Sequence, residues 1–203
     1  VEQCIRIIDA GADLVRITVP SPADAEALAV IRQALRDRGY RTPLVADVHF
    51  NTDIALKAAS LVEKVRINPG NFGITGKFRK GGYTERQYQA EWEKQRGVFT
   101  RFLALCRRHH TAIRIGVNHG SLSDRIMDRY GDTAEGMAES ALEFLRVCRD
   151  EAFHNVVVSL KASNTLVMVY ATRLLAERMD RENMPYPLHL GVTEAGEGED
   201  GRI

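Results

Sequence analysis

Six times along this chain a short apolar run ends in residues that bind anions, form hydrogen bonds or move protons. The runs are LVRIT at 14–18, VADVHFN at 45–51, VRINPGN at 65–71, AIRIGVNHGSL at 112–122, VSLKAS at 158–163 and LHLGVTEAG at 188–196. A strand sends successive side chains to opposite faces. On that parity Arg16 and Thr18 share one face, as do Asp47 and His49, Arg66 and Asn68, Arg114 and Asn118, Ser159 and Lys161, and His189 and Thr193. Val15, Ile17, Val48, Val65, Ile67, Ile113, Ile115, Leu160, Leu188 and Leu190 fall on the other face and are all apolar. A doubly wound sheet has helices on both faces and reads as continuous apolar runs. The inner face of a barrel instead closes on itself, and its upper layer can be polar where it meets a ligand.

Between the runs the periodicity is helical. An opening helix stops at Gly11, and others are expected at 23–38, 52–60 with Asn51 as its cap, 84–109, 135–149 and 165–181, with a short one in SDRIMDRYG. Ser121 or Ser123 is expected to cap that short helix, and DTAE at 132–135 resembles a capping box. Alternation of strand and helix predicts an α/β fold with a parallel sheet. A full eight-stranded barrel needs about 250 residues, whereas this sequence of 203 opens on a helix feeding a strand and stops in a loop after one. The expectation is one domain over 1–203, an incomplete TIM (β/α)8 barrel covering about strands two to seven. A Rossmann-like domain is the alternative, but no GxGxxG follows a first strand and no GxxxxGK[ST] occurs.

A formal charge of +1 gives no bulk reason to expect nucleic acid or a membrane surface. No apolar run is long enough to span a bilayer and no signal peptide is visible, so a cytoplasmic location is expected. The three cysteines, Cys4, Cys106 and Cys148, are far apart, form no CxxC and have apolar helical neighbours. Buried, reduced packing residues are the expected reading. The glycine-rich, basic segment 72–82, with Lys77, Arg79 and Lys80, reads either as a flap over an anion or as a solvated loop.

Arg16, Arg66 and Arg114, from separate strands but one face, suit a compact anion through paired charge-assisted hydrogen bonds, and Lys161 adds a point charge. Asp47, His49 and Glu194 are the candidates for handling hydroxyls and protons. Asp47 and His49 lack a third ligand of matching type nearby and make a poor zinc site.

The strand ends DVHFN, VRINPGN, RIGVNHGSLSDRI, KASN and HLGVTEAGEGEDGR, spread over essentially the whole chain, resemble the barrel domain of the 4-hydroxy-3-methylbut-2-enyl diphosphate synthase family of the methylerythritol phosphate route to isoprenoids. The spelling NHGSLSDRIMDRYGD, with the lengthened segment after Gly73, looks most like the larger three-domain form of plants and some bacteria. The resemblance implies an oxidoreductase that reductively opens 2-C-methyl-D-erythritol 2,4-cyclodiphosphate, with this chain supplying the diphosphate-binding barrel. It further implies a [4Fe-4S] cluster on a C-terminal domain absent here, ferredoxin or flavodoxin as electron donor, and a homodimer at full length. No cofactor or metal is expected in this stretch itself, which should be inactive alone. By resemblance Arg66, Asn68, Arg114, Asn118, Lys161 and Ser163 match positions that hold the diphosphate and neighbouring oxygens, and Arg16, Ser159 and Thr193 join them as substrate-binding candidates. Asp47, His49 and Glu194 stand as catalytic candidates. The competing reading is a non-redox barrel for a phosphate ligand, an aldolase or a pteroate-synthase-like enzyme, using the same arginines.

Overall fold

The computed structural model describes residues 1–49, 51–74 and 82–194. Its strands are β1 (Val15–Thr18), β2 (Leu44–Asp47), β3 (Lys64–Ile67), β4 (Ala112–Asn118) and β5 (Val156–Lys161). Its helices are α1 (Glu2–Asp9), α2 (Pro22–Asp37), α3 (Thr52–Ala59), α4 (Glu85–His109), α5 (Asp124–Tyr130), α6 (Ala134–Asp150) and α7 (Thr165–Arg181). The strands form one parallel sheet in the order β1-β2-β3-β4-β5. Strand order that never reverses means every crossover steps the same way. Right-handed crossovers then put all the helices on one face, the winding of a barrel rather than of a doubly wound sheet. The sheet of the described residues is open, a portion of a barrel.

Parity sorts the two faces as the sequence predicts. Val15, Leu44, Ala46, Val48, Val65, Ile67, Ile113, Ile115, Val117, Val156, Val158 and Leu160 are buried in the core that the helices cover. A cluster of Phe72, Phe99, Phe102 and Phe144 fills the layer between α4, α6 and the sheet, with Phe99 and Phe144 ring centroids 4.6 Å apart. Arg66, Arg114 and Ser159 occupy the other face and are nonetheless buried.

Helix starts follow local chemistry. Asn51 accepts from the amides of Asp53 and Ile54 and starts α3, as expected. Ser21 with Asp24 and Thr84 with Gln87 form reciprocal capping boxes on α2 and α4. Two expected caps are corrected. In DTAE it is Thr133 that caps α6, accepting from Gly136, while Asp132 accepts from the amide of Gly120. Ser123 sits at the N-cap of α5 without a side-chain bond, and Ser121 is taken by Asn68.

The sixth expected strand, 187–192, is also corrected. It makes one parallel bridge, Val158 to Leu188, closed by Val158 N–H to Pro187 O at 3.0 Å and His189 N–H to Val158 O at 2.8 Å. Leu188 and Leu190, expected under helices, are 37% and 65% exposed. Among the described residues nothing pairs with its outer edge, and a strand held on one side has half the hydrogen bonds that keep a central strand straight.

Candidate functional site

The site is built from the inward residues of β1 to β5 and the loops that follow them. Register places Thr18, Asp47, Arg66, Arg114 and Val157 in one row across the sheet, with Gly116 and Ser159 paired one step further toward the carboxyl ends. Asn118 and Lys161 pair beyond them at the rim. Two arginines side by side, each about 5% exposed or less, demand compensation for lost hydration and mutual repulsion.

Arg66 receives that compensation from the protein. Its Nη1 donates to Asp47 Oδ1 at 3.0 Å and faces His49 Nε2 at 2.8 Å, and its Nη2 donates to the Gly116 carbonyl at 2.9 Å. A guanidinium only donates, so Arg66 favours an unprotonated ring nitrogen, whereas Asp47 Oδ1, 3.2 Å from the same Nε2, favours a protonated one. Burial and the Arg66 charge accordingly hold His49 below its ordinary pKa, against the pull of Asp47. Burial pushes the Asp47 carboxyl up, but Arg66, His49 and Arg16 together carry it below the usual carboxylate range. Asp47 is therefore an ionised acceptor that neutralises part of the wall. Arg16 approaches it at 3.6 Å from a side chain that is 55% exposed.

Arg114 has no such partner. Its Nη1 donates to Ser159 Oγ at 3.0 Å, and no carboxylate of the described residues pairs with it. Burial, with the Arg66 charge next, pushes it down to about 10. Lys161 is lowered by burial and then by Arg114, Arg16 and Arg66, and His189 by burial, Arg114 and Lys161. These depressions share a cause, an excess of positive charge facing one pocket. Arg16, Arg66, Arg114 and Lys161 gather around the buried carboxylate of Asp47.

The loops divide between support and access. Asn68 is 1% exposed and spends its side chain on the Ser121 hydroxyl and the Gly70 amide, at 2.9 and 3.0 Å. It ties the loop after β3 to the loop after β4. Gly70 lets the two touch, since a Cβ there would lie 1.9 Å from Ser121 O. Asn118 is half-buried at the rim, Ser163 is exposed just before the Asn164 cap of α7, and the amide of Thr193 reaches Ala162 O at 3.3 Å. Glu194 is exposed at a φ of 51°. The structure thus gathers Arg16, Asp47, His49, Arg66, Arg114, Ser159 and Lys161 into one wall, with Asn118 beside Lys161 at its rim, while Ser163, Thr193 and Glu194 follow the end of β5. The expected flap falls mostly on 75–81, outside the described residues.

Sequence reasoning missed a buried polar network behind the β3 loop. Arg125 grips Glu143 through two bonds of 2.6 Å, and Tyr88 donates to the same carboxylate at 2.8 Å. Arg125 also donates to Gln95 Oε1, and the Gln95 amide donates to the carbonyls of Pro69 and Phe72, both at 2.7 Å. The available signal was a lone Glu143 inside the apolar run ALEFL.

A family model described as the GcpE TIM-barrel domain matches residues 1–203. The chain belongs to that family. The chain is 60% identical over its whole length to 4-hydroxy-3-methylbut-2-en-1-yl diphosphate synthase (flavodoxin) of Phocaeicola vulgatus, of which it covers 33%. It is 61% identical to the Parabacteroides distasonis protein of the same name, again over 33% of that chain. To the chloroplastic ferredoxin-type synthase of Oryza sativa subsp. japonica it is 52% identical over 27% of the relative. The chain thus spans about a third of the length of the curated relatives it matches.

Cys4, Cys106 and Cys148 do not suit an iron-sulfur cluster. They are buried in α1, α4 and α6, burial pushes the Cys106 thiol up to about 12 and Cys148 higher still, and cluster ligation needs converging thiolates. Among the described residues no group of His, Cys, Asp and Glu is placed to hold a metal ion, and no helix is long and apolar enough to cross a membrane.

Proposed function

We propose that this barrel holds 2-C-methyl-D-erythritol 2,4-cyclodiphosphate while the whole protein reductively opens it to 4-hydroxy-3-methylbut-2-enyl diphosphate. The observation that carries the reading is Arg114, a buried cation whose missing counter-charge an anionic ligand supplies. The names of the relatives support the reaction, and the excess of cations along the wall supports a diphosphate as the group held. Arg114, Lys161 and Arg16 bind the diphosphate oxygens, with Asn118, Ser163 and Thr193 at the rim. Arg66, braced by Asp47, forms the rigid side of the cradle.

Opening the ring breaks a carbon–oxygen bond to the diphosphate, takes up an electron pair and expels a hydroxyl as water. Fixed guanidinium groups stabilise the leaving diphosphate as its charge grows and cost no reorganisation at that moment. Neutral His49 is suited to hydrogen-bond a substrate hydroxyl. Glu194, beyond the strand ends, is the carboxylate free to carry a proton to the departing hydroxyl. A [4Fe-4S] cluster outside this chain supplies the electrons, delivered by flavodoxin or ferredoxin, and a cytoplasmic homodimer is the expected assembly.

The test uses the full-length protein with its cluster, kept anaerobic with a reduced electron donor. Consumption of the cyclic diphosphate and appearance of the linear allylic diphosphate are expected. Absence of both turnover and calorimetric binding refutes the reading and leaves the non-redox phosphate barrel.

A further inference from the structure

The two register-paired arginines lean the same way. Arg66 on β3 reaches over β4 to the Gly116 carbonyl, and Arg114 on β4 reaches over β5 to Ser159 Oγ. Gly116 and Ser159 are themselves register partners, so the seat for both guanidinium groups is a row of two small residues. At Gly116 that smallness is strict. A Cβ would lie 2.5 Å from Arg66 Nε, 3.3 Å from Cγ and 3.4 Å from Cδ. Nothing about the backbone there calls for glycine, because Gly116 is ordinary strand and does not have a positive φ. The nearest atoms in the space a side chain would fill are those of Arg66.

We propose that Gly116 is a positioning residue, whose bare backbone lets Arg66 lie flat across β4 and so fixes Asp47 and His49 while leaving Arg114 unpaired for the ligand. The chain of contacts is short. Arg66 bonded to the Gly116 carbonyl also holds Asp47 Oδ1 and His49 Nε2 through Nη1. Pushed off by a methyl group, the Arg66 side chain can no longer keep both its carbonyl seat and its hold on Asp47, which is then released to turn toward Arg114. The carboxylate would neutralise the charge that the anion needs. Arg66 itself is 3% exposed, so the collision is not relieved by swinging into water.

This inference rests on the diphosphate reading above, and the experiment separates the two. Full-length protein carrying its cluster is compared as wild type, Gly116→Ala, Arg66→Ala and the double variant. The readouts are calorimetric affinity for the cyclic diphosphate, KM against kcat, and titration of His49 by NMR of isotopically labelled histidine. Gly116→Ala is expected to weaken binding at least tenfold and to raise KM more than it lowers kcat. It should also raise the His49 pKa, since the Arg66 charge that opposes protonation of the ring has moved away. In the Arg66→Ala background the same substitution should change affinity less than threefold, because the collision partner is gone. Wild-type affinity together with a wild-type His49 titration in Gly116→Ala overturns the proposal, as do losses that multiply in the double variant. If Gly116→Ala does not fold, the double variant must fold, and its failure overturns the proposal equally. If the wild type does not bind the cyclic diphosphate, the functional reading falls, and the His49 titration still decides the role of Gly116.

Discussion

Replacing Arg114 with Met should make the free protein more stable and weaken its affinity for the cyclic diphosphate by roughly a hundredfold or more. Arg114 is 5% exposed and sits at about 10 rather than the ordinary 12.5. At about 1.4 kcal/mol per factor of ten in the proton equilibrium, its charged form is disfavoured by roughly 3 kcal/mol in the folded state. Met fills similar volume without charge, so most of that is recovered. Against it stands the lost hydrogen bond to Ser159, about 1 kcal/mol. The net expectation is about 2 kcal/mol of added stability, or roughly 4 to 8 °C in the unfolding transition of a domain this size. Binding moves the other way, since charge-assisted hydrogen bonds contribute about 1.5 to 3 kcal/mol each. Arg114→Lys keeps the charge but loses the planar fork, so it should weaken binding by one such bond at little change in stability. Differential scanning calorimetry and ligand titration on the full-length protein measure both. A Met variant less stable than wild type, or one that binds as tightly as wild type, refutes the argument and assigns Arg114 to an internal pair.

Three further outcomes are expected. Glu143→Gln leaves Arg125 buried without its carboxylate and should cost about 3 to 5 kcal/mol, read by denaturant titration, with faster amide exchange at Asn71 and Phe72 as Gln95 loosens; unaltered stability would show that the network is ornamental. His49 has a lowered folded pKa, so below its ordinary value of 6.5 the unfolded chain takes up the proton first, and stability falls with pH from there down to the folded value. A His49→Gln variant should lack that slope in melting temperature below about pH 6.5, and an identical slope would place its origin elsewhere. Gly70→Ala brings a Cβ to 1.9 Å from Ser121 O and should destabilise by about 1 to 3 kcal/mol while weakening ligand binding, as the loops after β3 and β4 separate; wild-type melting and affinity would contradict it.

The first five strands, their parallel arrangement and the face on which their side chains fall were legible in the sequence, whereas the sixth, 187–192, was not, being reduced to a single bridge. A period of two is written residue by residue, and hiding a run such as Ile113, Ile115 and Val117 leaves only one side for Arg114. The wall of Arg16, Asp47, Arg66, Arg114, Ser159 and Lys161 follows from the same rule, because parity and chain direction together bring inward residues to one end of a parallel sheet. What parity cannot give is who touches whom. Both Arg66 and Arg114 read as ligand-binding arginines, and only the register of β3 against β4 shows that one is held by Asp47 and a carbonyl while the other is left open. Asn68 shares the face of Arg66 yet turns to Ser121, fifty-three residues away, and Arg125 finds Glu143 across the helical layer. Gly116 carries no local mark at all, since its backbone is ordinary strand. These are contacts between distant segments, and local periodicity, which reports only whether a side chain faces oil or water, carries no record of its neighbours. The sequence determined the face of each residue; the packing of the strands decided which charges are compensated, and with that where an anion can bind.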